Sequence, residues 1–337
     1  MNSVNTAPWF EDFSVGDDFS DVPSVTITEG YVAIHQALFG DRLRLPLDHH
    51  LSQQVCGAVP INPSLLCNIA IGQSTFPSQR VMGNLFYRGL VIKAPVYIGD
   101  TVTTKTKVVA LRQNKIRAGR AASGMVALEM HVTNQRDETV MLFWRCPMIP
   151  CKDESADTGH ADSFDFMPED ISLKDLELII PKWDLPSFKM KVPGKHFDTL
   201  SAEDRFEVEA RDTITLAPEL VRLTLNMAMT HTDAGRSVYG KRLVYGGHTI
   251  SMAAAQITRA LPNMLTILGW FKCDHLAPVF EQDILRSVVS VQSTHALEEG
   301  GLVKLKVESF VTRSNDGTED CKEETKVLDW ELVALFA

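Results

Sequence analysis

The sequence predicts an α+β fold in which one helix-and-sheet unit is built twice, and three observations point there. The string Ala94-Pro95-Val96-Tyr97-Ile98-Gly99-Asp100 returns as Ala277-Pro278-Val279-Phe280-Glu281-Gln282-Asp283, with Leu85 and Tyr87 upstream answered by Leu268 and Trp270. A second echo stands near the start of each half, where Phe19 through Thr26-Ile27-Thr28 matches Phe206 through Thr213-Ile214-Thr215. Between and after these strings the apolar period changes from helical to alternating, in the same order both times.

The first helix is expected over 28–40, where Tyr31, Ile34 and Leu38 recur at helical spacing, with Thr28 as N-cap and Gly40 as stop. Its counterpart is expected over about 217–227. Pro218 suits the first turn there, and Leu220, Leu223, Leu225 and Met227 make the helix apolar all round, hence deeply buried. A second, shorter helix follows in each half. The segments 102–111, 125–134 and 139–144 then alternate as antiparallel strands do, and so do 284–291, 303–312 and 326–336. In each half one sheet has to cover a central helix. From Pro150 to about Lys182 the chain is rich in Asp, Ser and Glu without periodicity, and Pro181, Pro186 and Pro193 keep it extended, as in a solvated linker. The expected division is an N-terminal unit over 1–150, a linker over 151–190 and a C-terminal unit over 191–337.

A chain of 337 residues, 45% hydrophobic and 23% charged, can bury a sizeable core, and neither a disordered nor a fibrous class fits. Its formal charge of −10 would repel polyphosphate and supplies no counterion release on a duplex, so nucleic acid is not an expected partner. The first residues lack a basic segment followed by an apolar one, and no apolar run approaches the ~18 residues of a membrane span. A cytoplasmic location with no membrane partner is expected. Cys56, Cys67, Cys146, Cys151, Cys273 and Cys321 form no C-x-x-C and no zinc-ligand pairing with histidines, so reduced thiols are expected, Cys146 and Cys151 included.

The halves differ most where the first helix ends. Leu38-Phe39-Gly40-Asp41 stands in one, against Leu225-Asn226-Met227-Ala228-Met229-Thr230-His231 in the other, and only the second sets a histidine five residues after a polar amide. Farther on, Tyr245-Gly246-Gly247-His248-Thr249-Ile250-Ser251 leads into an apolar helix through Ala255 and Ile257. Paired glycines at a helix start leave backbone N–H groups open to a developing oxyanion, because no side chain blocks the approach and the helix dipole favours negative charge. Taken singly these signals are ordinary: a lone histidine in an apolar stretch is usually a hydrogen-bonded core residue, and Gly-Gly is usually a turn. Together, in a tandem repeat with one degenerate copy, they are what a two-unit enzyme with one surviving active site would show.

The opening Phe10-Glu11-Asp12-Phe13-Ser14-Val15-Gly16-Asp17, the Thr26-Ile27-Thr28-Glu29 helix entry, the Pro95-Val96-Tyr97-Ile98-Gly99-Asp100 string and residues 239–251 resemble the MaoC-type dehydratases, also called type 2 enoyl-CoA hydratases. The resemblance covers nearly the whole chain outside the linker. Within that group, residues 242–251 and Leu111-Arg112-Gln113-Asn114-Lys115 are most similar to the mesaconyl-CoA hydratases, or β-methylmalyl-CoA dehydratases. The resemblance implies a double hotdog fold, in which each half wraps a curved antiparallel sheet around a long central helix and the sheets join edge to edge. The family reaction adds water reversibly across the double bond of a 2-enoyl thioester, giving the (R)-3-hydroxyacyl-CoA, with no cofactor or metal. An Asp and a His five residues later activate the water and shuttle the proton, while a backbone N–H at the later glycine holds the thioester oxygen. Here the histidine falls on His231, the glycine on Gly246 and a pocket-lining serine on Ser251, but the Asp position holds Asn226.

A carboxylate can move a proton, whereas an amide can only orient and polarise water. Three outcomes stay open: His231 serves as both base and acid; Asp233, His248 or a substrate carboxylate helps; or hydration activity has been lost. The first half keeps the acid at Asp41 but has Pro46 where the histidine would stand, so that half is expected to shape the acyl pocket. Tyr245, Gly247 and His248 join Ser251 as expected substrate contacts, and Arg236, Lys241 and Arg242 are the candidate cations for CoA phosphates. The leading expectation is a hydro-lyase acting on an acyl-CoA or acyl-carrier-protein thioester whose chain is short, branched or carboxylated. A hotdog acyl-CoA thioesterase and a non-catalytic acyl-CoA-binding protein are the alternatives. A tandem hotdog contains its own internal dimer, so a monomer and a homodimer of such chains both fit.

Overall fold

The computed structural model describes residues 6–117, 119–313 and 324–337; Cys321 lies outside them. A 3-10 turn at Phe10–Asp12 leads to β1 (Val25–Thr26), α1 (Glu29–Phe39), the short helices α2 (Arg44–Leu47) and α3 (His49–Val55), and α4 (Pro63–Gln73). Four long strands follow: β2 (Gly83–Ile92), β3 (Thr101–Gln113), β4 (Ser123–Asn134) and β5 (Thr139–Pro150). After α5 (Leu173–Glu177) and α6 (Leu185–Lys191) the plan returns with β6 (Arg205–Glu207), β7 (Asp212–Thr213), α7 (Ala217–Leu223) and α8 (Gly246–Ala260). It closes with β8 (Met264–His275), β9 (Ile284–Ala296), β10 (Gly301–Thr312) and β11 (Glu324–Phe336).

All eleven strands belong to one sheet in the order β1-β3-β4-β5-β2-β8-β11-β10-β9-β6, with β7 also on β9. The order mirrors itself about the β2–β8 seam, where Tyr87 pairs with Cys273 and Leu90 with Trp270. The segments around Leu85 and Leu268, legible in the sequence only as apolar, are thus the two strands that join the halves.

The repeated strings have a structural cause. Asp100 and Asp283 each accept, on a side-chain oxygen, the backbone N–H three residues earlier, Tyr97 at 2.9 Å and Phe280 at 3.0 Å. The residue before each aspartate, Gly99 or Gln282, turns the chain through positive φ. The backbone of each string then clamps the other echo: Ile27 N–H donates to the Asp100 carbonyl and Ile214 N–H to the Asp283 carbonyl, both at 2.8 Å. Val279 accepts from Val244 N–H at 2.9 Å, fixing the approach to α8.

The covered helices are the second ones of each half. Every residue of α4 is buried, and α8 is buried from Gly247 to Thr258. The expected size order is corrected in the second half, where α8 has 15 residues and α7 only 7. A left-handed residue at Leu225 breaks the chain out of α7, so Leu225 and Met227 are exposed rather than buried in a helix extending to 227. Thr28 and Gly40 do cap α1, but its buried face is His35 and Phe39, with Ile34 in solvent.

The stretch 151–190 is not wholly solvated, which corrects that expectation. Met167 packs with Ala110 and Ala127, while Leu176, Trp183, Leu185 and Phe188 form a second cluster with Leu265, Leu268 and Phe271. Single apolar residues at irregular spacing anchor a segment whose polar majority faces water, so no periodicity betrays them. Cys146 and Cys151 are unpaired, and burial pushes the Cys146 thiol up to about 12. No helix among the described residues is long and apolar enough to cross a membrane.

Candidate active site

A cavity of about 230 Å³ lies between the halves. The second half contributes Asn226, His231, Tyr239, Tyr245, Gly246 and the end of β8 at His275; the first contributes Ile71, Thr75, Ser78, Tyr87, Arg145 and Met148. The first half therefore shapes this wall, and it also supplies polar groups.

His231 ends a 3-10 turn, Met229–His231, beyond α7. Its Nδ1 lies 2.8 Å from the Leu243 carbonyl. A carbonyl only accepts, so Nδ1 carries the proton and Nε2 is left as the acceptor available to the cavity. Burial drives His231 down to about 4, against the pull of the Leu243 carbonyl in the other direction. The imidazole is neutral at pH 7, the form a general base requires.

Asn226 is held by a tight local bond: its Oδ1 accepts the Ala228 N–H at 2.9 Å. With the oxygen so used, Nδ2 is the group free for the cavity, and it can only donate. The first half repeats this turn, since Asp41 Oδ1 accepts the Leu43 N–H at 2.9 Å. The neighbouring bonds also correspond: Met227 N–H donates to Thr75 Oγ1 and Arg42 N–H to Thr258 Oγ1. Asn226 thus stands where its pseudo-symmetric partner keeps a carboxylate.

The helix starts of the two halves differ. Gly246 and Gly247 are the first two residues of α8, inside the helix rather than ahead of it, and Tyr245 at the N-cap gives no side-chain cap. Among the described residues no protein group accepts from either glycine N–H. In α4 the same place is closed. Asn62 caps the Ser64 N–H at 2.8 Å, and Pro63 has no N–H to offer. Asn62 also donates to Asp41 at 2.8 Å, locking that carboxyl in the core. The open amides of α8 suit an oxyanion, and the helix dipole points its positive end there.

No family model matches the chain. Among solved structures, a conserved hypothetical protein of Mycobacterium tuberculosis described as a double hotdog is 40% identical, with a TM-score of 0.90, over 98% of this chain and 99% of that one. A Chloroflexus aurantiacus protein assigned as a MaoC domain dehydratase is 27% identical, with a TM-score of 0.85, over 100% and 99%. A mesaconyl-CoA hydratase of Cereibacter sphaeroides is 28% identical over 93% of this chain and 94% of its own. A β-methylmalyl-CoA dehydratase of Chloroflexus aurantiacus is 30% identical over 84% of this chain and 81% of its own. The chain belongs to the MaoC-type dehydratase family. Its fold is the double hotdog that the family resemblance implies.

Against that MaoC-type frame, the sequence-predicted residues separate. His231, Asn226, Gly246 and Tyr245 meet at the cavity. Ser251, Gly247 and His248 do not line it. Ser251 accepts from Asn68 Nδ2 at 2.8 Å, tying α8 to α4, and a Cβ on Gly247 would lie 2.0 Å from Asn68 Oδ1. His248 is fully buried with its ring 4.9 Å from that of Phe39. These three hold the MaoC-type helices together, because the helical turn after Gly246 rotates them away from the cavity. Arg242 is paired with Glu281, and Lys241 lies 3.7 Å over the Phe280 ring. Both border an adjoining recess with Asp233, whereas Arg236 is exposed and lines neither space.

Arg145, Tyr87 and His275 are among the cavity groups that the sequence did not offer as site residues. The His275 Nε2 is buried without a partner. Burial lowers His275 to about 4, with the nearby His231 adding to the effect. Arg145 and His275 come from strands with no motif around them, Tyr87 was legible only as a repeated apolar position, and sheet pairing carries all three to this MaoC-type site.

Proposed function

We propose that the chain is an acyl-CoA hydro-lyase that adds water reversibly to a 2-enoyl-CoA and gives the (R)-3-hydroxyacyl-CoA. One observation carries this reading: a neutral histidine with a free Nε2 shares a cavity with the open amides of a helix start. Family membership and the relatives, a β-methylmalyl-CoA dehydratase and a mesaconyl-CoA hydratase, support it.

In hydration, the Asn226 Nδ2 donates to a lone pair of the water while the water donates to His231 Nε2. As the oxygen bonds to C3, His231 takes the proton, and the electron pair of the double bond moves towards the thioester oxygen. The Gly246 N–H holds that developing oxyanion. His231 then returns its proton to C2, completing the addition with no net change in the protein. An amide at 226 is sufficient for this cycle, because a single histidine serves as base and then as acid. The substrate we favour is a short branched or dicarboxylic enoyl-CoA such as mesaconyl-CoA.

The test is loss of the conjugated enoyl-thioester absorbance on incubation with crotonyl-CoA and mesaconyl-CoA. Turnover of at least one, falling roughly 10²–10⁴-fold in His231→Ala, is the expected result. No turnover of either, or unchanged turnover in the variant, would falsify it.

A further inference from the structure

One cavity residue is not used by the hydration steps. Arg145 lies in β5 with only 3% of its surface exposed. Its Nε donates to Ser74 Oγ at 3.1 Å, and its Nη2 to the Ser74 carbonyl at 2.6 Å and to Ser78 Oγ at 2.8 Å. All three acceptors are neutral. Nothing among the described residues accepts from Nη1, and no Asp or Glu there pairs with the guanidinium. Its polar surroundings on the cavity side are the Tyr87 and Tyr245 hydroxyls.

A buried cation without an anion is destabilising unless something offsets it. Ser74 is the C-cap of α4, so the negative end of that helix dipole offsets part of the charge. That role uses one edge of the guanidinium. It explains neither why the group lines the cavity shared by His231 and Gly246 nor why its other nitrogen is left open there. Nη1 keeps two N–H donors that neither serine uses, and a charge-assisted bond from them to a carboxylate is strengthened by enclosure.

We propose that Arg145 is the receptor for a free carboxylate on the acyl chain, so that the cavity selects thioesters of dicarboxylic enoic acids over simple enoyl thioesters. This rests on the hydratase reading above and adds the residue that sets its specificity. A substrate lacking the carboxylate would leave the buried guanidinium unpaired, which is the arrangement that gives strong discrimination.

The unmodified protein decides the matter. Mesaconyl-CoA and the methyl ester of its free carboxylate are compared by calorimetric binding and by hydration rate. The ester should bind at least about 100-fold more weakly, with a matching loss in kcat/KM if it turns over. Equal binding of acid and ester overturns the proposal. In Arg145→Gln the preference should collapse to within about tenfold, and Arg145→Lys should retain part of it; a preference kept in full by Arg145→Gln also overturns it. A purely structural cap would alter stability and leave the acid-to-ester ratio unmoved. Should Arg145→Gln fail to fold, the acid and ester comparison still stands. Should no thioester be hydrated, the hydratase reading fails by itself, because binding still reports on Arg145.

Discussion

At the scale of single residues, the chemistry rests on which nitrogen and which oxygen each side chain has left. His231 spends Nδ1 on Leu243, and burial keeps it neutral down to about 4. The rate of hydration should therefore be level through the neutral range and fall with unit slope as pH drops through about 4, where the base is protonated. A stopped-flow pH profile on brief acid exposure checks this, and a limb centred near pH 6.5 would show a solvated histidine instead. In Asn226→Asp the Ala228 N–H still holds Oδ1, so Oδ2 replaces the donor with a titrating carboxylate. That variant should add a second ionisation to the profile; a single unit slope would mean that position 226 does not reach the reacting proton. His231 and Gly246, which both line the cavity, were legible as candidates because the histidine and the paired glycines stand in one stretch of chain. Arg145 and His275 were not, since only strand pairing brings β5 and β8 to that wall.

At the scale of elements, the site depends on how closely α4 and its surroundings approach. A Cβ on Gly72 would lie 1.8 Å from the Thr224 carbonyl oxygen, two residues before Asn226. Backbone cannot rotate out of the way as a side chain can, so Gly72→Ala should destabilise the protein by roughly 1–3 kcal/mol and displace the Asn226 turn. Gly247→Ala meets the Asn68 side chain instead and should cost less, although it strains the Asn68–Ser251 bond. Urea unfolding of both variants gives the comparison, and a larger loss in Gly247→Ala would contradict it. The sequence showed where α1 starts and stops, because Thr28 and Gly40 are caps with a local cause. It misjudged the end of α7, where apolar Leu225 adopts positive φ under tertiary constraint. Ser251, expected at the pocket, accepts a bond from Asn68 of α4, while Thr249 of the same helix lines the cavity.

At the scale of the whole molecule, one sheet runs through both halves, and the seam pairs Tyr87 with Cys273 across Arg88–Asp274. The tandem repeat was readable because the same turn is needed before β3 and before β9; the edge-to-edge joining of the sheets was implied by the family resemblance and not by periodicity, because pairing across the seam leaves no periodic mark. The same architecture buries four of the described histidines. His35 is driven down to about 3, and His231, His248 and His275 to about 4, desolvation being the first cause in each. In the unfolded chain each would titrate near 6.5. The unfolded state therefore binds more protons than the native one between those values, and stability rises with pH across that window. The stabilisation is fully present above about pH 6.5 and is lost as pH falls towards 4, on the order of 3 kcal/mol for each histidine. Asp41 acts in the opposite direction. Its carboxyl is raised by burial, against hydrogen bonds from Asn62, Leu43 and Thr258, so it favours the native state at low pH and offsets part of the loss. Four histidines against one aspartate leave a net loss comparable to the ~5–15 kcal/mol of a typical domain. Thermal melts should fall steeply between pH 6.5 and about 4.5, with sheet and tryptophan signals lost together because the seam couples the halves. His248→Leu, which removes a buried histidine outside the cavity, should flatten the slope by about one proton per molecule; an unchanged slope would mean that this ring is already protonated or solvated in the native state.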